Sequence, residues 1–326
     1  MGGDHAPAEI MKGSLIALER FPKLSILLVG DQDSIAAELT AQNAGTDRIS
    51  IRHASEVVEM GESPVIALRR KHDTSIQRSM EALRSHDVDA VVSAGDTGGV
   101  VASATLFARR LKGVKRHGIA IAVPTIKGRT LLMDVGANIH CKPVHLLQYA
   151  IMASAYAKAV MGIENPRVGL LSIGEEEAKG NNLVKQARSL LSRAEMDFVG
   201  NVEGQAIFRG IADVIVCDGF VGNVILKVAE GMAEAFVHTL VSTAQAMDGV
   251  SSESKEWMGA IRERLDYSTT GGAPLLGVEG SVIICHGRSN AKAIANAISV
   301  AVDFTRTGIN DRIVAGVAEA SVLHQL

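Results

Sequence analysis

Residues 90–99 read Ala-Val-Val-Ser-Ala-Gly-Asp-Thr-Gly-Gly, a short apolar run that ends in a glycine-rich turn. Residues 100–111 then place apolar side chains at helical spacing, so the stretch predicts a strand, a turn and a helix in succession. Short β-branched or aliphatic runs alternate with longer helical stretches along the rest of the chain. This alternation is typical of an α/β fold, in which helices cover a mostly parallel sheet.

The same patterns predict the other elements. Strands are expected at Ser25–Val29, Ile49–His53, Ala90–Ser93, Ile119–Val123, Thr130–Asp134, Val168–Ser172, Val214–Cys217 and Val282–Cys285. Helices are expected at Ala8–Arg20, Ser75–Ser85, Val100–Leu111, Val144–Met161, Asn182–Arg193, Val221–Ala246 and Ala291–Thr307. No internal repeat or low-complexity segment divides the chain, so we expect one domain over residues 1–326.

Glycines and small polar residues follow most of the predicted strands. These loops are Gly30-Asp31, Ser93 to Gly99, Asp134 to Asn138, Ile173 to Glu175, Asp218 to Asn223 and His286 to Asn290. Ligands of open α/β sheets bind beyond the carboxyl ends of strands, where glycines let backbone N–H groups approach an anion. Glycine and aspartate are also common in βα turns that bind nothing. Because six loops share the pattern, the sequence predicts a crevice that binds phosphate.

The composition excludes several classes of protein. A 326-residue chain that is 47% hydrophobic can fold around a large core and is not disordered. The net charge is −3 and aromatic residues make up 3% of the chain, so we expect no nucleic-acid partner. Three widely spaced cysteines without a C-x-x-C pair argue against disulfides and a thiolate zinc site, and favour the cytoplasm.

Several standard motifs are absent from the sequence. There is no G-x-G, no Gly-Lys-Ser/Thr and no G-x-S-x-G, which excludes the dinucleotide fingerprint, the P-loop and the nucleophile elbow. Residues 1–7 have neither the basic nor the apolar region of a secretory signal. The most apolar stretch, 145–163, is interrupted by Gln148 and Lys158, so we expect a buried helix there and no membrane span.

Residues 175–182 read Glu-Glu-Glu-Ala-Lys-Gly-Asn-Asn between a predicted strand and a predicted helix. Lys179 in this loop is suited to hold a phosphate or a developing negative charge. The acidic residues equally suit a solvated cap at a helix start, where the helix dipole favours negative charge. The pattern alone leaves both interpretations open.

Residues 218–223 read Asp-Gly-Phe-Val-Gly-Asn, with two glycines three positions apart where a helix is predicted to begin. The amide of Asn223 can donate to a carbonyl oxygen whose charge grows in a tetrahedral intermediate. The alternative is a helix cap in which the glycines serve only the backbone geometry. Here too the pattern alone does not decide.

Further candidates for anion contact or proton transfer are Asp4, His5 and His286. Cys285 and His286 are neighbours on a predicted strand, where successive side chains point to opposite faces. We therefore do not expect them to form a thiol–imidazole dyad.

His140, Cys141 and His145 have metal-ligand spacing but no carboxylate or second cysteine nearby, so we interpret them as structural and expect no metal site. Two basic clusters lie at 69–72 and 109–116. Such clusters are either solvated surfaces or regions that steer an acidic protein partner.

Taken together, the loops resemble the PlsX family of bacterial phosphate acyltransferases. The shared motifs are Met1 to Pro7, Ser93 to Gly98, Asp134 to Asn138, Ile163 to Arg167, Ile173 to Glu176, Lys179 to Asn181, Asp218 to Asn223, Gly271 to Gly277 and His286-Gly287. The resemblance implies transfer of a long-chain fatty acyl group from acyl-acyl-carrier-protein to inorganic phosphate. The product would be acyl phosphate for phosphatidic acid and phospholipid synthesis.

The resemblance also implies a homodimer without a cofactor, with a three-layer α/β/α core like that of isopropylmalate dehydrogenase and phosphotransacetylase. A helical protrusion at 232–270 would make the dimer and membrane-surface contacts. Lys179 and Asn223 match the catalytic lysine and asparagine of the family. Phosphate and substrate binding is assigned to Gly3, Asp4, His5, Gly95, Asp96, Thr97, Gly98, Asn138, Gly174, Asp218, Gly219, Gly222 and His286.

The sequence differs from the family pattern in three places. The family typically has asparagine where Asp96 stands, and a carboxylate there would repel phosphate unless it is protonated or paired. Family members usually carry a short strand before the motif at 1–7. Residues 246–267 are less basic and less apolar than a good membrane-binding hairpin, so we expect only weak peripheral contact of a cytoplasmic protein with the inner membrane surface.

The mechanism that these features predict is direct transfer. Phosphate attacks the thioester carbonyl while Asn223 and backbone N–H groups hold the oxyanion, and Lys179 holds the phosphate or offsets its charge. One alternative is a short-chain phosphotransacylase that uses acyl-coenzyme A. The other is a protein that keeps the crevice without catalytic activity.

Overall fold

An eight-stranded sheet forms the centre of the computed structural model, which describes residues 1–42, 45, 47–58, 61–246, 257, 259 and 271–324. The strands are β1 Ile26–Gly30, β2 Ile49–His53, β3 Ala90–Ser93, β4 Gly118–Thr125, β5 Gly128–Met133, β6 Arg167–Ser172, β7 Asp197–Glu203, β8 Val214–Val216, β9 Ala273–Leu276 and β10 Ser281–Ile284. Their order in the sheet is β3-β10-β9-β4-β5-β8-β6-β7, and β1 and β2 form a separate parallel pair.

The strands of the central sheet run in two opposed groups. β3 and β10 are parallel to each other, and β5, β8, β6 and β7 are parallel to one another. The antiparallel contacts of β9 and β4 join the groups, so the second group runs opposite to the first. The registers place the last residues of β10 and β5, Ile284 and Met133, about one residue, or roughly 3 Å, apart along the strands. The loops after both groups therefore approach one crevice from opposite sides.

Helices cover both faces of the sheet. They are α1 Ala8–Arg20, α2 Gln32–Ala41, α3 Pro64–Arg70, α4 Ser75–Arg84, α5 Thr97–Phe107, α6 Pro143–Ala159, α7 Asn182–Leu191, α8 Gly219–Ala246, α9 Ala291–Arg306 and α10 Ile309–His324, with a 3₁₀ helix at Gly204–Arg209. One face packs against α6, α7 and α10, and the other against α4, α5 and α8. The alternation of strand side chains is clear in β10, where Ile284 faces the α5 side and Ile283 packs against α1 and α9. The predicted α/β/α architecture with a largely parallel sheet is thus confirmed.

Several elements were not predicted from the sequence: α2, α3, β7, β9 and α10. β9 is four residues long and contains Pro274, so it lacks the alternation that marks a strand. α10 begins directly after Gly308, whose φ of +62° ends the preceding helix segment. The boundary of α5 also differs, because this helix begins at Thr97 instead of Val100.

The predicted protrusion at 232–270 includes residues 247–256, 258 and 260–270, which lie outside the described residues. Its described part is the second half of α8 together with residues 257 and 259, so the domain division stays a prediction. Across the described ranges, none of the helices is long and apolar enough to cross a membrane.

Candidate active site

A cavity of about 370 Å³ lies between the sheet, the start of α5, the loop after β10 and one side of α8. It is the crevice on which the two opposed groups of strands converge. Of the predicted site residues, Thr97, Gly98, Asn223 and His286 line it. The predicted residues outside its wall are Gly3, Asp4, His5, Gly95, Asp96, Asn138, Gly174, Lys179, Asp218, Gly219 and Gly222.

Asn223 projects from the second turn of α8 and lies over Gly136. Gly136 has a φ of +139°, and a Cβ at this position would lie 3.5 Å from Asn223 Oδ1. The helix starts close to the sheet because Gly222 packs against the carbonyl oxygen of Asp134. Asp218 caps the helix, since its Oδ1 accepts from the backbone N–H groups of Phe220 and Val221 at 3.0 Å each.

The loop after β5 is held by a buried carboxylate. Asp134 Oδ1 accepts from the backbone N–H groups of Ile119, Gly136 and Ala137 at 3.1, 3.1 and 2.9 Å. Its Oδ2 accepts from Asn138 N at 2.8 Å and from Asn138 Nδ2 at 3.2 Å. Burial raises the pKa of Asp134, and these hydrogen bonds oppose that increase. The carboxylate thereby fixes the wall that faces Asn223.

Sequence reasoning did not assign a role to Asp134, although the residue was part of a quoted motif. The signal was an aspartate that follows a strand directly and precedes several backbone N–H groups in a glycine turn. Asn138, which was predicted to bind phosphate, donates through Nδ2 to the backbone oxygen of His117 at 2.6 Å and to Asp134 Oδ2 at 3.2 Å. Any contact of Asn138 with substrate stays a prediction.

At the start of α5, Asp96 Oδ2 accepts from Gly99 N at 2.7 Å, so the carboxylate caps the helix. This hydrogen bond does not neutralise the carboxylate, and Asp96 stands outside the cavity wall. The first-turn residues Thr97 and Gly98 border the cavity, and the leading N–H groups of a helix have no partner within it. Gly95 and Asp96 also border a second cavity of about 110 Å³ beside β1 and β3.

The N-terminal motif lies against the loops after β3 and β10. Gly3 has a φ of +99°, and a Cβ there would lie 3.1 Å from both Ala94 O and Gly287 O. Asp4 N donates to Gly287 O at 2.9 Å, which joins the segment to the loop that carries His286. The motif thus supports the site from outside the cavity wall.

His286 is half-buried at the cavity, and its Nδ1 accepts from Arg288 N at 3.1 Å. The neutral ring therefore carries its proton on Nε2. Cys285 also borders the cavity, but burial raises the pKa of its thiol to about 12. A thiol that stays protonated at neutral pH is a poor nucleophile.

Lys179 is exposed in the loop after β6, two strands away from β5. Its Cγ lies against Gly174, where a Cβ would be only 2.8 Å away. In the part of the chain that the structure describes, no carboxylate forms an ion pair with Lys179, whereas Glu177 in the same loop pairs with Arg188. The ammonium is available, but the structure does not bring it into the cavity with Asn223.

Two further residues of the wall were missed, Lys227 and Glu230. They form an ion pair of 2.8 Å on α8, and the Glu230 side chain is only 12% exposed. Their positions four and seven residues after Asn223 would have predicted that all three share one helix face.

The basic residues at 115, 116 and 142 lie near the loop after β5. Their charges help to lower the pKa of His145, although burial is the larger cause. His145 Nδ1 accepts from Lys142 N at 3.1 Å where α6 begins. Among the described residues, no group of three or more His, Cys, Asp or Glu side chains could hold a metal ion.

Comparison with known proteins assigns the sequence to a family. The family model described as "Fatty acid synthesis protein" matches residues 1–312. The phosphate acyltransferase of Geotalea uraniireducens is 46% identical over 317 residues, which cover 96% of this chain and 91% of that protein. The phosphate acyltransferase of Pelotomaculum thermopropionicum is 49% identical over 313 residues, covering 92% and 88%.

Solved structures show the same fold at low sequence identity. A phosphotransacetylase from Streptococcus pyogenes superposes with a TM-score of 0.65 at 15% identity, over 92% of each chain. A branched-chain phosphotransacylase from Enterococcus faecalis gives a TM-score of 0.59 at 13% identity, over 94% of this chain and 97% of that one. These structures show only the fold, whereas the sequence matches show the family. The chain belongs to the phosphate acyltransferase family of fatty acid synthesis proteins, and it is an acyltransferase.

Proposed function

We propose that the protein transfers a long-chain acyl group from acyl-acyl-carrier-protein to inorganic phosphate, which yields acyl phosphate for phospholipid synthesis. The observation that carries this proposal is that the Asn223 amide and the N-terminus of α5 border the same cavity. The partial positive charge of a helix start favours a phosphate, and a side-chain amide favours a developing oxyanion. The site thus offers a place for each reactant.

In the proposed reaction, a phosphate oxygen forms a bond to the thioester carbonyl carbon, and the carbonyl π electrons move to its oxygen. Asn223 Nδ2 and backbone N–H groups of Thr97 and Gly98 stabilise the charges. The oxyanion then collapses, the carbon–sulfur bond breaks, and the thiolate takes the proton of the hydrogen phosphate. Because phosphate is itself the nucleophile, the buried Cys285 thiol has no role in this step.

We also assign Lys179 a role on phosphate, from the loop after β6, which lies two strands from β5 and outside the cavity wall. Its exposed ammonium has no acidic partner among the described residues, and a compact ammonium suits a phosphate dianion. We assign it the offset of phosphate charge, and Asn223 the stabilisation of the oxyanion.

The carrier protein is assigned to the basic surface formed by Lys115, Arg116 and Lys142. All three are exposed, and the segment that holds the first two continues into His117, whose carbonyl oxygen accepts from Asn138 Nδ2. A positive surface near the loop after β5 steers an acidic carrier towards that loop. This surface is distinct from the other basic cluster at 69–72, which lies around the end of α3.

The test is phosphate-dependent release of free thiol from palmitoyl-acyl-carrier-protein by the purified protein, with acetyl- and palmitoyl-coenzyme A as parallel donors. We expect release that requires phosphate and is fastest with the carrier protein. Activity with coenzyme A thioesters alone would instead assign the protein as a phosphotransacylase of that donor. The absence of thiol release with all three donors would overturn the proposal.

The homodimer, the membrane contact and the cytoplasmic location stay predictions. The outer side of α8 exposes Val224, Val228, Met232 and Phe236 at four-residue spacing, an apolar stripe suited to a protein or membrane contact.

A further inference from the structure

The cavity has an apolar wall that phosphate chemistry does not require. The residues of this apolar wall are Leu226 on α8 and, on the sheet side, Ile119, Ile121, Val135 and Ile284. Ile119 and Ile121 are only 3% and 6% exposed and still border the cavity, so the space lies within the packed layer between the sheet and the helix. A phosphate would gain nothing from such a wall, because an anion needs donors in its surroundings.

The apolar wall begins beside the reacting groups. Val135 directly precedes Gly136, over which Asn223 lies. Whatever is attached to a carbonyl carbon held by Asn223 must therefore continue either into solvent or along this wall. Thr97, His286 and Ser289 border the cavity from the loops opposite α8. The other polar residues of its wall, Asn223, Lys227 and Glu230, lie on α8 itself.

α8 gives the wall a direction and a length. Asn223, Leu226 and Glu230 follow at three- and four-residue spacing, which places them on one helix face. The rise of an α-helix separates Asn223 from Glu230 by about 10 Å along the axis. The ion pair of Glu230 with Lys227, at 2.8 Å, forms the polar end of this face.

We propose that the apolar wall binds the acyl chain of the donor and that Leu226 sets the chain-length preference. The inference rests on the proposed function and adds the location of the acyl subsite to it. The thioester carbonyl lies at Asn223, and the methylenes run past Leu226 towards the Lys227–Glu230 ion pair. Each methylene that contacts the wall strengthens binding by about fourfold.

Leu226→Trp tests the inference by filling the cavity beside the apolar wall from the helix side, and Leu106→Trp is the matched control. Leu106 lies on α5, is 46% exposed and does not border the cavity. The measured quantity is the ratio of kcat/KM for palmitoyl- over butyryl-acyl-carrier-protein. Loss of two or three methylene contacts lowers this ratio by about 15- to 60-fold in Leu226→Trp. The ratio stays within about twofold of wild type in Leu106→Trp.

A second variant keeps the test valid if Leu226→Trp does not fold. Ala273→Leu narrows the same cavity from β9, on the side opposite α8, and should also lower the kcat/KM ratio of palmitoyl to butyryl donor. Circular dichroism and thermal unfolding establish that each variant is folded. An equal loss of kcat/KM with the palmitoyl and butyryl donors, or an unchanged ratio in both Leu226→Trp and Ala273→Leu, would overturn the inference.

A binding measurement separates failure of this inference from failure of the proposed reaction. Dodecyl phosphate and butyl phosphate are unreactive analogues of an acyl phosphate, and their affinities can be measured by calorimetry on the same proteins. One outcome is that wild type lacks turnover but binds dodecyl phosphate far more tightly than butyl phosphate, and that Leu226→Trp abolishes this difference in affinity. The proposed reaction is then wrong and the acyl subsite is supported. If turnover is normal and Leu226→Trp changes neither the kcat/KM ratio nor the affinity ratio, the acyl subsite is wrong and the reaction is supported.

Discussion

Gly222 packs against Asp134 so closely that a Cβ at residue 222 would lie 1.9 Å from the carbonyl oxygen of Asp134. This contact sets the distance between α8 and the loop after β5. Since Asn223 is the next residue, Gly222→Ala must move the proposed oxyanion donor away from the cavity. We expect turnover to fall by about 10²-fold or more, because displacement by about 1 Å can cost that much.

The control for Gly222→Ala is Gly231→Ala on the same helix. A Cβ at residue 231 meets no atom within 4 Å, so alanine there should leave activity intact and stabilise the helix by about 0.5–1 kcal/mol. Thermal unfolding and thiol release on both variants provide the comparison. Normal turnover in Gly222→Ala would show that the close contact does not position Asn223.

Asn223→Ala should lower kcat and kcat/KM by a similar factor of about 10² or more, because the lost interaction exists only in the transition state. The side chain is exposed and holds no helix cap, so the melting temperature should change little. Steady-state kinetics with varied donor and varied phosphate measure both constants. A rise in KM with unchanged kcat would instead assign Asn223 to ground-state binding.

The position of Asn223 illustrates what local sequence predicts well. The strand that ends before Asp218 and the helix that follows it are both local patterns, so the sequence places the amide at a strand end without knowledge of the rest of the chain. The same reasoning predicted α1 and β2 with their observed boundaries. It left the role of Asn223 open between a cap and a donor, and the structure shows that Asp218 supplies the cap.

Non-local pairing explains what could not be predicted. The insertion of β9 between β10 and β4 depends on partners far away in the chain, and a four-residue strand with Pro274 has no distinctive period. Because β9 was not predicted, the sequence did not show that the two groups of strands run in opposite directions. For the same reason the sequence could not show that Lys179 lies outside the cavity wall that Asn223 borders.

Lys179→Ala should reduce kcat/KM for phosphate by about 10²-fold, since the ammonium offsets charge on the nucleophile. Lys185→Ala is the matched control, because Lys185 is an exposed lysine on α7, the helix after the same loop. Initial rates at varied phosphate give the comparison. If both variants behave like wild type, Lys179 has no place in the mechanism.

Charge reversal of Lys115 and Arg116 to Glu should lower kcat/KM with the acyl-carrier-protein donor by about tenfold or more at low salt. The effect should shrink as added salt screens the charges, and it should be absent with an acyl pantetheine donor, which lacks the carrier. The control is the same reversal of Arg69 and Arg70, which are exposed in the other basic cluster. Equal losses in both double variants would reflect net charge and not a docking surface.

His117 should make the fold sensitive to acid. It is 4% exposed, its Nε2 lies 2.7 Å from Thr105 Oγ1, and its Nδ1 has no hydrogen-bond partner among the described residues. Burial lowers the pKa of His117 from 6.5 to about 4, so between these values the unfolded chain binds a proton that the folded chain does not. The free energy of unfolding therefore falls as the pH falls, by about 2–3 kcal/mol from this group at pH 4.5.

Urea unfolding at pH 7 and pH 4.5 measures this contribution by comparison of wild type with His117→Gln. The variant should lose less stability on acidification than wild type, by about 2–3 kcal/mol. His238→Gln, at an exposed position on α8, should show the same acid dependence as wild type. If His117→Gln also loses as much stability as wild type, the imidazole binds its proton in the folded state and the buried neutral ring is not the source of acid sensitivity.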